Sequence, residues 1–547
     1  MTVWDKFRDD EYIGLAPWTS LELVSVEPRC PFPYLGGVAP EVVTSLHEAH
    51  GLLRNAVEDV VGEVLCRGIR QGDPSLRPLM EDAYAEVVHS RAHLRAHIQC
   101  GREPDGRFRW EFPLDHRQSA TVTFTGLAIG NTVTKGTTSF EFDRPILPGI
   151  GKVLGSLDGT SRVGEVRATV AAFGPDLSDE LERFLEVVNQ QECLTASTCA
   201  SVGSQWLSET RDRDVVHLGH AGLLYRQQDR FFLFDPWLMP WYAAVPVPSL
   251  CHAVLPRPAA LFLTHEHDDH MNSRTLLQMP KHIPVIVPSQ RNGRALYYDY
   301  PSILRELGFQ EIIELAHGER WTFDGGAVEA VPFYGEDPCD LQLPRNCYVI
   351  ADRGRNTLVQ ADTGPSNDGR SAVKDGIIDD LVRRYGPIAT IFASQQQTRE
   401  VRGQSGYAYL SHPGRWLETG ESTSVNLRDC VRLAASTKAR LFVSYATGGA
   451  DWFPEHVAWL IRPGKPARNA LTTVTTEPLE KLEEPLKELG CRYHYSYALD
   501  LYRETSDGGT AVVAETKALD PLRMFERDHG DHPLLQKVRE GRQMAES

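Results

Sequence analysis

No uninterrupted apolar run in the 547-residue sequence approaches the roughly 20 residues that cross a bilayer, so no transmembrane helix is expected. The opening MTVWDKFRDDEYIG has no apolar core behind a basic head, so no signal peptide is expected and a cytoplasmic setting is. None of the ten cysteines (30, 66, 100, 193, 199, 251, 339, 347, 430, 491) forms a CxxC pair. That spacing suggests neither a thiolate metal site nor a disulfide framework, and buried free thiols in a reducing cytoplasm are the simpler expectation. Excess positive charge is also missing. The net charge of −17 argues against a general nucleic-acid or anionic-membrane binder. The local basic runs at Arg91–Arg95 and Arg102–Arg109 read as a solvated helix face and a loop.

A chain of this length predicts two or more cores. Residues 40–66 and 78–100 carry apolar positions at helical spacing. His89, His93 and His97 recur on one face of the second and read as a surface stripe rather than a metal site. Residues 107–142 alternate polar and apolar around TVTFTGLAI and predict a small sheet. A Leu-Asp-Gly-Thr turn and two helices follow, and the unit at about 144–200 resembles small winged-helix modules that contact carrier-tethered substrates. From about residue 206 the texture changes. VVHLGHAGLLYR, FFLFDPWL, AALFLTHEHDDH, PVIVPS, AVEAVPFYGEDP, CYVIAD, TLVQADTG, IATIFASQ and RLFVSY alternate with turns and helical segments. The expected class is α/β: an αββα sandwich over 206–515, preceded by a separate α+β N-terminal domain over 1–205 and followed by a polar tail over 516–547.

The most informative stretch is THEHDDH, 264–270. A strand expected at Leu261–Thr264 delivers it, and alternation along a strand puts His265 and His267 on one side. Asp269 and His270 follow where the chain turns toward a helix and address a second ion. Glu266 and Asp268 are expected to face away. A solvated acidic turn has no reason to space its histidines as H-x-H-x-D-H behind an apolar strand.

This pattern resembles the signature of the metallo-β-lactamase fold. HLGHAGLLY (217–225) and FLFDPWL (232–238) look like its opening strands, with Asp235 expected to orient a ligand histidine. QADTG (360–364) resembles the strand-end aspartate that bridges two metals, which nominates Asp362. Hydrolases of this fold place a histidine after the AVEAVPF-like strand, but this chain reads FYGEDP, so Glu336 takes the third-ligand position, with Asp337 the rival. His317 comes too early. The late strand RLFVSYATGG offers no histidine, leaving His412 in YLSHPGRW, ahead of His456 in WFPEHVAW, as the last ligand. Three carboxylates among the ligands favour iron, which cycles to the ferric state, over zinc, which suits nitrogen-rich sites.

A carboxylate-rich site of this kind behind a large N-terminal domain resembles the diiron β-hydroxylase family of chloramphenicol biosynthesis and its relatives in glycopeptide-type antibiotic pathways. HEHDDH, the Glu of YGEDP and the Asp of QADTG, in that order, carry the resemblance. It implies a non-haem diiron monooxygenase that hydroxylates the β-carbon of an amino acid held as a thioester on the carrier domain of a nonribosomal peptide synthetase. By likeness, His265, His267 and Glu336 hold one iron and Asp269, His270 and His412 the other. Asp362 lies between them, and the ions share an oxo or hydroxo bridge. O2, an external electron donor, the carrier domain and a homodimer through the N-terminal domain are implied as well. The aromatic stretch DPWLMPWYAAVPVP (235–248) is a candidate lining for an aromatic substrate, although such residues are commonly core. The competing enzyme class is a dizinc lactonase, phosphodiesterase or thioesterase using metal-bound hydroxide. A scaffold that kept the fold without the chemistry is disfavoured by seven candidate ligands.

Overall fold

The fold is that of a computed structural model describing residues 3–16, 19–24, 99–102, 108–111, 119–126, 128–129, 133–134, 137–190, 193–198, 207–238, 255–267, 269–292, 300–335, 344–365, 370–394, 427–446, 467–469, 472–474, 480–496, 499–505 and 509–513. The helix expected at 40–66, residues 78–98 of the helix expected at 78–100, the His89/His93/His97 stripe, the basic run at 91–95, most of that at 102–109 and the tail at 516–547 lie outside those residues. The last two residues of the second expected helix instead open the strand Gln99–Arg102, which pairs with Phe108–Glu111.

Two mixed sheets form the larger part. The first runs Ile312–Leu315, Val285–Pro288, Ala260–Phe262, Arg230–Phe234, Gly222–Gln227, Val215–Gly219, Leu501–Glu504, Thr510–Val513. The second runs Arg320–Phe323, Gly326–Pro332, Asn346–Asp352, Arg355–Val359, Thr390–Ser394, Leu441–Tyr445, Arg492–Tyr495. In each, antiparallel neighbours give way to parallel ones, at Phe232↔Ala260 in the first and at Thr357↔Thr390 in the second. Parallel strands need crossover connections, and helices Ser273–Gln278, Tyr300–Glu306, Ile377–Tyr385 and Leu427–Thr437 lie in them. Strands covered on both faces read as continuous apolar runs rather than alternating ones, which explains PVIVP, TIFAS and LFVSY.

The sheets pack on a shared aromatic core. Phe232, Phe234 and Phe262 of the first meet Tyr348, Phe392 and Tyr445 of the second, and Phe234 stacks on Phe262 at 4.6 Å. On the outer face of the second sheet, Val349, Leu358 and Ile391 pack against Ile378, Leu381, Leu433 and Leu482 of the helices. The architecture is therefore an αββα sandwich.

Ahead of it, Tyr12–Leu15 pairs antiparallel with both Leu194–Ser197 and Asp158–Arg162, and helices Leu147–Ser156, Val163–Ala171 and Pro175–Gln190 pack together beside this small sheet. The Leu-Asp-Gly-Thr segment read as a turn opens a strand. Asp158 Oδ1 accepts from the backbone N–H groups of Thr160 and Ser161 at 2.8 and 2.9 Å, so the local bend and the pairing coexist. Helix Leu147–Ser156 lies directly on the sandwich. Cβ atoms at Gly151 and Gly155 would stand 2.2 Å from the Leu307 carbonyl and 2.4 Å from that of Met279, so only glycine permits this approach. The helix it touches, Ser273–Gln278, is the one that follows the histidine motif.

Candidate metal centre

The strand that delivers the motif ends at Phe262, two residues earlier than the sequence pattern suggests. Asp235 is the cause. Its Oδ1 accepts the Thr264 N–H at 2.7 Å, diverting a donor that a longer strand would have spent on its neighbour. His265, Glu266 and His267 therefore sit on a loop. The N–H groups of His270 and Met271 both donate to the His267 carbonyl, which folds Asp269 and His270 back toward His265. Asn272 ends this turn and caps helix Ser273–Gln278, its Oδ1 accepting from the Thr275 N–H at 3.0 Å.

Asp235, buried, sets the chemistry of two imidazoles. Its Oδ2 lies 2.8 Å from His270 Nδ1. A carboxylate only accepts, so His270 Nδ1 carries a proton, and Nε2 is the nitrogen turned toward Asp362. The Thr264 hydroxyl also donates to Asp235 Oδ2. Its single hydrogen being spent, its oxygen accepts from His265 Nδ1 at 2.9 Å, which leaves the ring's lone pair on Nε2. The rings of His265 and His270 lie 3.9 Å apart between centroids.

Across from this pair, His270 Nε2 is 3.2 Å from Asp362 Oδ2, and His220 Nε2 is 2.9 Å from Asp269 Oδ2. His220, Asp269, His270 and Asp362 each offer a ligand atom within 4.8 Å of the others, and Asp235, His265 and His270 form an overlapping group. Four of the residues here follow strand ends in a left-handed backbone conformation: His220 (φ 48°), Asp235 (39°), Ala361 (49°) and Ala446 (55°). Such φ values in non-glycine residues cost of order 1–3 kcal/mol each and persist where the surroundings over-determine them. Here they do. Ala446 N–H donates to the His220 carbonyl, Ser394 N–H to the Ala361 carbonyl, and Asp235 N–H to the Phe262 carbonyl.

Electrostatics point to a cation between these groups. Burial drives His265 well below the usual imidazole range, and His270 and His267 push the same way. Burial acts likewise on His270, but the carboxylates of Asp362, Asp269 and Asp235 overcome it and hold His270 well above that range. Burial would raise Asp269, yet His220 and His270 hold it well below the ordinary carboxylate value. A site that retains a proton on His270 against burial is one where a metal ion can replace that proton. Asp362 Oδ1 is buried without a hydrogen-bond partner among the described residues, an acceptor left for an ion. The donor set, imidazole with carboxylate, fits divalent transition metals.

His267 is brought near but turned aside: its ring is 4.6 Å from that of His265, while its Nε2 lies 2.9 Å from Arg345 Nη2. Glu266, expected to face away from the ligand side, is buried. Arg345 is the reason, contacting both Glu266 oxygens, with Nε to Oε2 at 3.1 Å. His317 is spent elsewhere, its Nε2 3.1 Å from the Arg345 carbonyl. Glu336, Asp337, His412, His456, Asp268 and the stretch 239–248 lie outside the described residues. Trp237 is buried with its ring edge-on to His220 at 5.0 Å. The sequence reading missed His220, although the signal was there: a histidine next to glycine between two apolar strands, in HLGHAG.

Residues 230–444 match the family described as the Beta-lactamase superfamily domain. The sandwich is a metallo-β-lactamase fold. The chain is 29% identical over 196 residues to the 4-amino-L-phenylalanyl-[CmlP-peptidyl-carrier-protein] 3-hydroxylase of Streptomyces venezuelae, an overlap of 35% of each protein. It is 26% identical over 182 residues to a Mycobacterium tuberculosis protein named for a Rieske 2Fe-2S centre, covering 31% of this chain and 34% of that one. The chain thus aligns with about a third of the length of these relatives. Among the described residues no group of candidate ligands contains cysteine. The crystal structure of CmlA, a diiron β-hydroxylase from Streptomyces venezuelae, has the same fold at a TM-score of 0.53 and 18% identity, over 90% of this chain and 99% of that one. In sequence and in fold, the chain resembles a diiron β-hydroxylase.

Proposed function

We propose that the protein is a non-haem diiron, O2-dependent monooxygenase that hydroxylates the β-carbon of an amino acid tethered as a thioester to a carrier domain of a nonribosomal peptide synthetase. The observation that carries the reading is the His/Asp cluster. Asp362 reaches the His270 side of a buried His/Asp cluster, on a chain similar to a 3-hydroxylase whose name specifies a carrier-bound aromatic amino acid. An aromatic amino acid is the substrate class that follows from that likeness.

Iron bound here would supply activation of O2 for insertion into a C–H bond, with two electrons arriving from an external donor. The rest is the work of the chain's own groups. Asp235 holds His270 directly, and His265 through Thr264, so that both present Nε2. Asp269 and Asp362 supply negative charge that offsets the cations, and we assign Asp362 the bridging position. His267 and the carboxylate of Glu336 are assigned to the first iron, and His412 remains a candidate for the second. Burial keeps bulk water from His220, His265, His270 and Asp362. In the same proposal the protein is a cytoplasmic homodimer; the described residues contain no helix long and apolar enough to cross a membrane.

One observation favours the second reading, a dizinc hydrolase. The described candidates include four imidazoles, His220, His265, His267 and His270, and nitrogen-rich sites suit zinc. Metal analysis of anaerobically purified protein, followed by intact-mass measurement of loaded carrier domains, separates the two. Two irons per chain and a mass gain of one oxygen atom on a carrier-bound amino acid support the oxygenase. Two zincs with hydrolysis of a lactone or phosphodiester reject it.

A further inference from the structure

Resting on the metal reading above, we propose that His220 is itself a metal ligand. With Asp269, His270 and Asp362 it would complete the second ion's position from a hairpin that lies ahead of the matched segment 230–444.

Three observations carry this. His220 is buried, and its Nε2 stands 2.9 Å from Asp269 Oδ2, in the group whose ligand atoms all fall within 4.8 Å of one another. Metal–ligand bonds of about 2.0–2.2 Å put any two ligand atoms on one ion within roughly 4.4 Å, so the group is close to what a single ion draws together. The backbone that presents His220 is built to hold it. The residue sits in the left-handed region at φ 48°, directly after the strand Val215–Gly219, a conformation costly for a side chain of this size. Its carbonyl receives the Ala446 N–H at 3.0 Å and lies 2.7 Å from His217 Nε2. A carbonyl only accepts, so His217 Nε2 donates, and His217 Nδ1 in turn takes the Ser496 hydroxyl at 2.7 Å. Of the two histidines in HLGHAG, one is consumed in pinning the turn and the other is aimed at the cluster. Finally, the His220 ring is fixed between two neighbours, edge-on to Trp237 at 5.0 Å and to His270 at 5.2 Å. A polar ring positioned this closely at a carboxylate-bearing site is pre-organised for an ion that Asp269 and His270 also face.

The competing role is orientation, in which His220 only hydrogen-bonds Asp269 and another group binds the metal. Titration of the full-length apoprotein with Co(II), monitored by absorption and by metal content, separates the roles without using turnover. The wild type is expected to take up two ions per chain. His220→Ala should take up one, with the second weakened well beyond the roughly 10–100-fold that loss of an orienting partner causes. His220→Cys should recover the second ion and show the near-ultraviolet thiolate-to-cobalt band that only direct ligation produces. Two ions bound to His220→Ala at near wild-type affinity, or a second cobalt bound to His220→Cys without that band, would overturn the proposal. A wild type that binds fewer than two ions would instead refute the dinuclear reading on which it rests. Should His220→Ala fail to fold, judged by far-ultraviolet circular dichroism, the thiolate band of His220→Cys decides.

Discussion

Replacing Asp235 with asparagine tests how the centre is organised. The carboxylate accepts from Thr264 N–H, from the Thr264 hydroxyl and from His270 Nδ1, all buried. Asparagine keeps the size and one acceptor oxygen but turns the other position into a donor. Directed at His270 Nδ1, that donor forces the ring to carry its proton on Nε2, the nitrogen meant for the metal. At that same position it meets the Thr264 hydroxyl, reverses it and removes the acceptor that fixes His265; at the Oδ1 position it would instead face the Thr264 N–H, donor against donor. The first arrangement spoils both imidazoles, and the second breaks the buried bond that shapes the ligand loop. Loss of such an orienting partner lowers metal affinity about 10–100-fold, roughly 1.4–2.7 kcal/mol. The upper end is expected because a single group serves two ligands. Competition with a chromophoric chelator measures the affinity, and circular dichroism of the apoprotein controls for folding. A folded Asp235→Asn variant binding both ions as tightly as wild type would refute the assignment of Asp235 as orienter of both rings.

Four further outcomes follow from the same structure. Arg345→Met strands the Glu266 carboxylate in a buried setting and should cost about 3–5 kcal/mol in urea unfolding, most of it recovered by adding Glu266→Gln. Metal affinity should rise with pH: His270 is held protonated above the usual imidazole range, an ion must displace that proton, and each proton released steepens affinity about tenfold per pH unit until the raised pKa is passed. A pH-independent dissociation constant between pH 6 and 8 would contradict this. Gly155→Ala improves helix propensity by about 1 kcal/mol, but its Cβ would lie 2.4 Å from the Met279 carbonyl. A net loss near 2 kcal/mol in thermal unfolding is therefore expected, and a stabilised variant would show that helix Leu147–Ser156 does not rest on the sandwich. Glu336→His should raise zinc affinity and abolish oxygen-dependent turnover; unchanged iron content and turnover would remove Glu336 from the ligand set.

The sandwich was legible where the chemistry is local. Strands buried on both faces must be continuously apolar, so PVIVP, TIFAS and LFVSY announced the parallel halves of the sheets. The closing strands Arg492–Tyr495, Leu501–Glu504 and Thr510–Val513 were not foreseen. They are short edge or near-edge strands, and Leu501–Glu504 is defined by its pairing with Val215–Gly219, nearly three hundred residues earlier.

The sequence alone nominated the candidate ligands in one stretch, because H-x-H-x-D-H concentrates them within six positions. Asp362 and Asp235 were also nominated at strand ends. Tertiary structure alone decided how they act. Which ring nitrogen faces the metal depends on Asp235 and Thr264, residues 29 apart in sequence. The entry of His220 depends on a hairpin tied to the end of a strand more than two hundred residues later. Burial of Glu266 and the turning of His267 depend on Arg345, 79 and 78 residues away. Ligand identity is a property of side-chain type, which a sequence states outright. Orientation and protonation are properties of the neighbours, and the fold supplies those.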